Sequence, residues 1–379
     1  MRIVAAPNAL KGSLTAVEAS EAISRGARRA LGESAEIVLA PVSDGGDGLI
    51  DVIEEALRED LGAERRRSRV SGPLGSPVEA EWLISSDGEI AVVEMATASG
   101  MALLSPQELD PMRASTLGTG ELVAEALQAG ARRVMVGLGG SATVDCGTGA
   151  ANALGIRFMD AEGVEFPPCG GSLVKIARVD TSDLVAPLAS GAARVAAIFD
   201  ASNPLLGPSG AARVYAPQKG ASPEEVDLLE AGMRNIADVI ERDFGIDARN
   251  MPGAGAAGGL GTGLVAFAGA KLSPGAEAVF GIIGLEEKMR GADLVVTAEG
   301  RLDAQSAHGK APAAVARLAK RLGIPCIVLA GDVSTSEEEL AALGIAKAYS
   351  IRPDGMPLAD SMRRSRELMQ SAMERALGS

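Results

Sequence analysis

The segment ADLVVTAEGRLDAQSAHGKAP, residues 292–312, is the part of the sequence that best indicates the fold class, because it joins a short apolar run to a charged loop and then to a helical pattern. We predict a buried strand over residues 292–296 and a helix over residues 313–322. A strand, a loop and a helix in this order are typical of open α/β sheets, which bind ligands beyond the carboxyl ends of their strands. The segment therefore predicts an α/β fold and marks its own loop as a candidate site.

The loop of this segment concentrates charged and polar side chains. Four of them follow the predicted strand at alternate positions and should share one face: Glu299, Arg301, Asp303 and Gln305. Lys310 comes just before the helix, whose amino end carries partial positive charge and favours an anion. A surface turn of mutually satisfied ion pairs would have the same composition, and this loop alone does not separate the two interpretations.

The composition indicates a folded chain of two domains. With 379 residues, the chain exceeds what a single hydrophobic core usually organises. Hydrophobic residues make up 47% of the chain and glycines number 47, which excludes disorder and predicts many tight turns. We find neither a membrane-spanning run nor a secretory signal pattern, so we expect a cytoplasmic protein. Cys146, Cys169 and Cys326 lack paired spacing, which argues against disulfides and a zinc site.

The charge balance excludes some classes of partner. The formal net charge is −14, from 36 basic and 50 acidic residues, and no long basic stripe is present, so we do not expect nucleic acid as a partner. An acidic protein that handles phosphates needs a metal ion or locally placed lysines and arginines. His308 is the single histidine, so acid–base chemistry must depend mainly on carboxylates or lysines.

A change of pattern after residue 70 marks a domain boundary. Before it, residues 2–6 and 36–41 have the pattern of strands, and Ser13 is placed to cap the helix between them. After it, alternating β-type residues broken by Gly, Pro and Ser-Asp-Gly turns predict antiparallel hairpins. We therefore assign residues 1–70 with 280–379 to one Rossmann-like domain with a parallel sheet, and residues 71–279 to a second α/β domain with a mixed sheet.

Two loops near the amino end carry candidate ligands. In NALKGS, Lys11 precedes a helix whose free N–H groups favour an anion. In SDGGDG, Asp44 and Asp47 flank two glycines, although a capped turn would use the same residues. Neither loop identifies a ligand by itself.

The stretch GLGGSATVD, residues 137–145, follows a predicted strand and precedes an alanine-rich helix. Its glycines let the backbone approach a phosphate, and Ser141 or Thr143 is placed to donate a hydrogen bond. The first six residues also match the dinucleotide pattern G-x-G-x-x-A, with Asp160 at a suitable distance. This stretch therefore also fits an NAD(P)-dependent oxidoreductase that acts on a small hydroxy acid, and we keep that function as an alternative to a phosphate-binding loop of another kind.

Further segments contribute candidate ligands and structure. A predicted strand leads to Asp200 and Asn203, whose oxygens suit a metal ion or substrate hydroxyls. Lys219 offers a compact positive charge suited to phosphate. Residues 253–258 match G-x-G-x-x-G without a strand before them, and we interpret them as a close-packed helix entry or a ligand-covering loop. Residues 223–244 predict a long amphipathic helix.

As an ordered set, these segments resemble the bacterial glycerate kinase family over essentially the whole chain. The resemblance is carried by KGSLTA at Lys11, PVSDGGDG at Pro41, GLGGSATVD at Gly137, NPLLGPSGA at Asn203, APQKGA at Ala216, PGAGAAGGLGTG at Pro252 and EGRLDAQSAHGKAP at Glu299. The chain departs from the family pattern at Asn8, Ala9 and Leu10, where Asp-Ser-Phe is usual, at Asp47, where Glu is usual, and at Val144 and Cys146, where Asn and Gly are usual.

The resemblance implies a kinase with two α/β domains and a central cleft that holds the site. It further implies transfer of the γ-phosphoryl group of ATP, with Mg²⁺, to D-glycerate, most often at the 2-hydroxyl group. The sequence lacks a Walker A motif near His308, because Ala304 and Ala311 stand where Gly and Ser or Thr are required. A kinase without a P-loop fits that absence.

Phosphoryl transfer mainly requires positioning and charge neutralisation, and we assign hypothetical roles on that basis. Lys11 and Arg301 would neutralise the glycerate carboxylate or the moving phosphoryl group, and Asp303 or Asp200 would orient the attacking hydroxyl. Substrate contacts are expected from Asn203, Gln305 and Lys310. The expected nucleotide-phosphate ligands are Gly137, Gly139, Gly140, Ser141, Thr143 and Lys219, and the candidate magnesium ligands are Asp44, Asp200 and Glu299.

The expected partners are two small molecules, D-glycerate and ATP. A homodimer is compatible with the sequence. A non-catalytic glycerate-binding protein is a third interpretation, which predicts ligand binding without turnover. Either 2- or 3-phosphoglycerate as the product is compatible with the residues alone.

Overall fold

The computed structural model describes residues 1–58, 62–302 and 310–378. These residues form an α/β fold with one parallel and one mixed main sheet, which confirms the predicted fold class. The strands are β1 (Arg2–Ala5), β2 (Glu36–Leu39), β3 (Ala63–Ser71), β4 (Pro77–Ser85), β5 (Ile90–Glu94), β6 (Arg133–Gly137), β7 (Arg157–Met159), β8 (Arg178–Asp180), β9 (Arg194–Phe199), β10 (Lys271–Pro274), β11 (Leu294–Leu302), β12 (Cys326–Val333) and β13 (Lys347–Ser350).

Helices connect most of these strands. They are α1 (Ala16–Leu31), α2 (Leu49–Leu57), α3 (Ala96–Ser99), α4 (Leu117–Gln128), α5 (Thr148–Ala153), α6 (Ala186–Ala189), α7 (Ala211–Tyr215), α8 (Pro223–Phe244), α9 (Ala256–Ala268), α10 (Gly275–Ile282), α11 (Leu285–Met289), α12 (Ala311–Leu322), α13 (Glu337–Leu343), α14 (Leu358–Arg363) and α15 (Ser365–Gly378). Short 3-10 helices cover Met101–Leu103, Gly170–Lys175 and Pro217–Lys219. Within the part of the chain that the structure describes, no helix has the length and apolar character needed to cross a membrane.

The chain divides into two compact units. Unit 1 comprises Met1–Glu59 and Gly275–Ser379, and unit 2 comprises Asp60–Pro274. A boundary at residue 70, as expected from the sequence, would fall inside β3, which pairs with β4 along its whole length. The run of charges in AERRRSRVS hides the alternation by which a strand is recognised in sequence, so the hairpin begins earlier than its pattern suggests.

Unit 1 contains a five-stranded sheet in the order β13-β12-β11-β1-β2, and all its neighbouring strands run parallel. Helices α1 and α15 pack together, and Ile23 and Met369 form a buried core with Ile3 of the sheet. Val4 and Val295 are also fully buried, because side chains on both faces of a central parallel strand are covered. This is the Rossmann-like sheet that the sequence predicts.

Unit 2 contains a six-stranded sheet in the order β10-β9-β6-β5-β4-β3. The first three strands in sequence, β3, β4 and β5, are antiparallel, which confirms the predicted hairpins, whereas β5, β6, β9 and β10 run parallel. Leu122 of α4 and Leu260 of α9 share a core with Val134 of β6. Helix α8 has the predicted bounds, and its buried face, which includes Met233, belongs to a second core.

Several helix ends differ from the sequence prediction. Thr15, not Ser13, caps α1, because its Oγ1 accepts a hydrogen bond from the N–H of Glu18 while the Glu18 carboxylate accepts one from the N–H of Thr15. Ser13 lies in the preceding turn, where its N–H donates to the carbonyl of Leu10. Helix α12 begins earlier than predicted, at Ala311.

Candidate functional site

In unit 1, the order of the strands places a topological switch point between the ends of β1 and β11. Strand β1 leads to β2 on one side of the sheet, whereas β11 leads to β12 on the other side. Loops that leave two adjacent strands in opposite directions diverge, and open α/β sheets bind ligands at this point. The segments after β1 and β11 are therefore the first candidate site, and both carry residues predicted from the sequence.

Strand β11 is longer than predicted and carries two predicted site residues within it. Glu299 and Arg301 pair with Ala330 and Asp332 of β12 instead of lying beyond the strand. Because alternate residues of a strand point to the same side, Glu299 and Arg301 share one face, as their spacing predicts. Glu299 is 5% exposed, whereas Arg301, nearer the strand end, is exposed. The predicted residues Asp303 and Gln305, and also His308, lie outside the described residues.

The loop after β1 lies against the end of β11. The N–H of Asn8 donates to the carbonyl of Ala298 at 2.9 Å, and a Cβ placed on Gly300 would lie 3.8 Å from the backbone nitrogen of Lys11. Lys11 itself is 86% exposed along its side chain and forms an ion pair of 3.3 Å with Asp47. An ion pair this exposed contributes little to stability, so the Lys11 ammonium can exchange it for an anionic ligand at low cost.

Asp44, in the loop after β2, is linked to the same segment. Its Oδ2 accepts a hydrogen bond from Asn8 Nδ2 at 3.2 Å, while Asn8 Oδ1 accepts one from the N–H of Ala9 at 2.9 Å. A Cβ placed on Gly275 would lie only 1.7 Å from the carbonyl oxygen of Asp44, so this close approach requires glycine. One edge of the sheet thus gathers four predicted residues, which are Lys11, Asp44, Glu299 and Arg301.

The two helix amino ends in this region differ. Lys310 takes the N-cap position of α12, and its side chain makes no capping hydrogen bond. Its predicted place at the positive end of a helix is confirmed, whereas its role toward a ligand stays a prediction. The first turn of α1 is closed by the capping box of Thr15 and Glu18, so the Glu18 N–H is not available to an anion. This differs from the prediction that the helix after Lys11 offers free N–H groups.

In unit 2, the loop after β6 divides into an accessible part and a buried part. Gly139 and Gly140 are partly or fully exposed, and Gly140 has a φ of +70°, which glycine adopts at low cost. Gly137 and every residue from Ser141 to Asp145 are buried. The N–H of Ala142 is held by the carbonyl of Ser99 at 2.9 Å. The accessible glycines are therefore the part of this loop that can meet a phosphate.

Lys219 lies beneath this loop, with only 2% of its surface exposed. Its Nζ donates to the Ser141 Oγ at 2.6 Å and to the Thr143 carbonyl at 2.7 Å. Burial lowers the pKa of Lys219 to about 7, and the negative charge of Asp145 partly opposes this shift. The Thr143 Oγ1 is buried and has no hydrogen-bond partner among the described residues. The structure thus brings Lys219 together with Ser141 and Thr143, as inward-facing groups.

Asp145 connects the loop to two helices. Its Oδ2 accepts from both the N–H and the hydroxyl of Thr116 at 2.8 Å, and the carboxylate also accepts from the N–H groups of Gly147 and Gly149 at 3.2 and 3.3 Å. Thr116 precedes α4 and Gly147 precedes α5, so one carboxylate serves the amino ends of both helices, where a negative charge is favoured. Burial raises the pKa of Asp145, against the effect of these donors. The N–H groups at the start of α5 are therefore not available to a phosphate.

The second glycine-rich segment packs directly against the loop after β6. Gly258 has a φ of +66°, and a Cβ there would lie 2.0 Å from the Thr143 carbonyl. The Gly258 carbonyl accepts a hydrogen bond from the N–H of Cys146 at 3.0 Å. Residues 253–258 thus form a close-packed helix entry, the first of our two interpretations. Cys146 has a φ of +53°, which explains why glycine is usual at this position of the family pattern.

The loop after β9 places Asn203 and Asp200 near Tyr215 of α7. The Tyr215 hydroxyl donates to Asn203 Oδ1 at 2.7 Å, and Asn203 Nδ2 donates to the Ser209 carbonyl at 2.8 Å. Burial raises the pKa of Tyr215, and the negative charge of Asp200 adds to the shift. Sequence reasoning missed Tyr215 and Thr116, because a single hydroxyl residue in a helical or loop pattern belongs to no motif.

The dinucleotide-binding alternative is not supported by the geometry of the loop. Helix α5 begins at Thr148, beyond the six residues of the G-x-G-x-x-A match. Asp160 lies in a turn after β7, where its Oδ1 accepts from the N–H of Val164 at 2.8 Å, and β7 belongs to a separate two-stranded sheet. In a dinucleotide-binding unit this acid follows the next strand of the main parallel sheet.

The candidate magnesium ligands are distributed between the units. Asp44 and Glu299 belong to unit 1, and Asp200 belongs to unit 2. Over residues 1–58, 62–302 and 310–378, no group of three or more acidic, cysteine or histidine side chains is arranged to hold a metal ion. Magnesium in phosphotransfer sites commonly uses one or two carboxylates together with water and phosphate oxygens, and the carboxylates of Asp44 and Glu299 at one sheet edge provide suitable oxygen donors.

Comparison with known proteins identifies relatives over the whole length. The model of the glycerate kinase family matches residues 3–378. A glycerate kinase of Halalkalibacterium halodurans is 42% identical over 370 residues, which cover 98% of this chain and 96% of the relative. A glycerate 2-kinase of Escherichia coli is 42% identical over 351 residues, 93% of this chain and 90% of the relative. A crystal structure assigned to a glycerate kinase 2 of Salmonella typhimurium LT2 shares 38% identity with a TM-score of 0.86, and covers 100% of this chain and 97% of that one.

Proposed function

Because the chain belongs to the glycerate kinase family, we propose that it is a glycerate 2-kinase that transfers the γ-phosphoryl group of ATP to the 2-hydroxyl group of D-glycerate. The observation that carries this proposal is the family match over residues 3–378, which includes every predicted site residue. The loops after β1, β2, β6, β9 and β11 support it, since each holds a charged or glycine-rich segment at the carboxyl end of a strand.

In this proposal, cations of unit 1 neutralise the charge of the acceptor and of the moving group. The exposed Lys11 ammonium and the Arg301 guanidinium lie near one sheet edge, and guanidinium groups bind carboxylates and phosphates in a bidentate manner. Lys310 at the amino end of α12 adds a third positive group. Such local cations offset the repulsion that a protein of net charge −14 exerts on an anionic substrate.

Acidic residues would divide between magnesium and the attacking hydroxyl. Asp44, Asp200 and Glu299 are the proposed sources of the carboxylate ligands for Mg²⁺, which, when bound with ATP, supplies neutralisation of phosphate charge. Asp303 or Asp200 would orient the 2-hydroxyl and hold its proton as the bond to phosphorus forms. Asn203 and Gln305 would contact the substrate.

The loop after β6 is the proposed phosphate-binding segment for the nucleotide. Gly139 and Gly140 present accessible backbone, and the absence of side chains there lets phosphate oxygens approach the N–H groups. Gly137, Ser141 and Thr143 belong to the same segment, and Lys219 supports it from below. Backbone recognition of this kind is consistent with a kinase that has no Walker A motif.

A coupled assay tests the reaction and its regiochemistry. Purified protein is mixed with ATP, Mg²⁺ and D-glycerate, and product is followed through enolase, pyruvate kinase and lactate dehydrogenase, with and without phosphoglycerate mutase. We expect NADH consumption without the mutase, because enolase accepts 2-phosphoglycerate directly. A signal that requires the mutase would assign the 3-hydroxyl instead, and ADP formation that does not depend on D-glycerate would overturn the proposal.

Lys11→Ala tests the proposed role of the unit 1 cations. We expect kcat to fall by about 10²-fold or more, since removal of one group that stabilises transition-state charge has effects of this size. Lys320→Ala, which removes an exposed lysine from α12 in the same unit, is the matched control and should retain activity. Near-normal turnover in folded Lys11→Ala protein would remove Lys11 from the mechanism.

A further inference from the structure

Lys219 combines features that do not suit a direct phosphate ligand. Lys219 is 2% exposed, so it presents almost no surface to a ligand that enters from solvent. Two of its three N–H donors are already used, at 2.6 Å by the Ser141 hydroxyl and at 2.7 Å by the Thr143 carbonyl. Burying a cation is costly, and such a cost is usually offset by a specific set of partners.

The partners of Lys219 belong to the loop proposed to bind the nucleotide. Ser141 and Thr143 lie 78 and 76 positions before Lys219, so its two hydrogen bonds tie together segments that are far apart in sequence. Ser141 directly follows Gly140, and Thr143 comes two residues later, so both adjoin Gly139 and Gly140, the accessible part of the loop. The position of the Lys219 ammonium therefore bears on the direction in which the backbone N–H groups of these glycines point.

The backbone at Lys219 is constrained by close packing. Lys219 ends a 3-10 helix, and Gly220 follows it with a φ of +101° and with its Cα so close to Leu109 that a Cβ would lie 2.5 Å from the Leu109 carbonyl. On the far side of the loop, Gly258 approaches the Thr143 carbonyl so closely that a Cβ would lie 2.0 Å away. The Thr143 carbonyl is thus fixed between the Lys219 ammonium and α9.

We propose that Lys219 is a positioning residue: it clamps Ser141 and Thr143 through the two hydrogen bonds that its Nζ donates, and thereby fixes the glycine backbone of the loop after β6 in the orientation that receives the nucleotide phosphates. This inference rests on the proposed kinase function and changes the role of Lys219 within it. Lys219 acts through the loop and does not touch the transferred phosphoryl group. The Thr143 Oγ1 is buried and has no hydrogen-bond partner among the described residues, so Lys219 holds Thr143 through its carbonyl and not through its hydroxyl.

The test separates a clamp from a ligand. Lys219→Met keeps most of the side-chain volume and removes both hydrogen bonds, and Lys175→Met replaces an exposed lysine of the same unit as the matched control. Without nucleotide, amide hydrogen exchange in residues 138–146 should become about tenfold or more faster in Lys219→Met, and exchange in α8 should not change, because the variant loses both hydrogen bonds that hold the loop to Lys219. The KM for ATP should rise by about tenfold, with a much smaller change in kcat.

Two results would overturn the inference. One is unchanged exchange in residues 138–146 of folded Lys219→Met protein, and the other is a fall in kcat with the KM for ATP unchanged, which would indicate contact with the transferring group. Ser141→Ala provides a second variant if Lys219→Met does not fold: it removes one of the two bonds and should show the same changes at smaller size. The exchange measurement does not depend on turnover, so inactivity of the unmodified protein toward D-glycerate would count against the proposed function and not against the clamp.

Discussion

At residue 146, a cysteine has a backbone conformation that favours glycine. Its φ of +53° lies in the left-handed region, where a Cβ costs about 1 kcal/mol. We expect Cys146→Gly to be more stable than Cys146→Ala by about that amount, because both variants lose the buried sulfur but only the glycine removes the strain. Urea unfolding of the two variants side by side checks this, and equal stabilities would show that the surrounding loop relaxes around the Cβ.

Lys219 should make the stability of the protein depend on pH. Burial lowers its pKa in the folded protein to about 7, against an ordinary value of 10.5, so between these values the unfolded chain binds a proton that the folded protein does not. The free energy of unfolding should therefore rise with pH across this window, on the order of a few kcal/mol, and the gain should be lost as pH falls through 7.

The measurement is urea unfolding at pH 7 and pH 9 for the unmodified protein and for Lys219→Met. The difference in unfolding free energy between the two proteins isolates the contribution of Lys219 from the other titrating groups, apart from its interaction with Asp145. A difference that is the same at both pH values would show that the Lys219 ammonium is not destabilised by burial.

At the scale of elements, the close approach of α9 to the loop after β6 should be intolerant of any side chain. Gly258→Ala would place a Cβ 2.0 Å from the Thr143 carbonyl at a φ of +66°, so we expect a loss of about 3 kcal/mol or more in unfolding free energy. Gly281→Ala in α10 is the control, since nothing lies within 4 Å of its Cβ position, and it should leave stability unchanged or raise it slightly.

Thermal unfolding of the two alanine variants compares these sites directly. A small effect of Gly258→Ala would mean that α9 moves away from the loop at little cost. In that case the loop after β6 would depend less on α9 and more on its bonds to Lys219 and Thr116.

At the scale of the whole molecule, the two units differ in how the chain forms them. Unit 2 is one continuous segment, Asp60–Pro274, whereas unit 1 combines Met1–Glu59 with Gly275–Ser379. Two buried cores lie entirely within unit 2, around Leu122 and around Met233. A continuous segment with its own cores meets the physical conditions for a domain that folds alone.

We therefore expect a fragment of residues 60–274 to fold by itself. Its circular dichroism should show mixed α/β structure, and its thermal unfolding should be a single cooperative transition. The matched fragment of residues 275–379 lacks β1, the strand between β11 and β2, and should not unfold cooperatively. A fragment 60–274 that aggregates or unfolds without a transition would show that unit 2 depends on the rest of the chain.

The sequence alone determined the fold class and the location of the candidate loops. Alternation, apolar runs and helix caps are local signals, and they correctly predicted the hairpins of unit 2 and the bounds of α8. The ordered set of loop motifs also led to the family that the comparisons show. Local signals were less reliable at boundaries, where β11 continues through Glu299 and Arg301 and Thr15 replaces Ser13 as the helix cap.

How the loop residues are used depends on the tertiary structure. Lys219 and Ser141 are 78 positions apart, and Asp145 and Thr116 are 29 apart, so their contacts depend on how strands and helices pack and leave no mark in either local sequence. For the same reason, a lysine that composition suggests as a phosphate ligand lies under the loop, and an aspartate in a glycine-rich motif caps two helices. Residue type fixes which hydrogen bonds a side chain can make, whereas burial and the approach of distant segments fix which ones it does make.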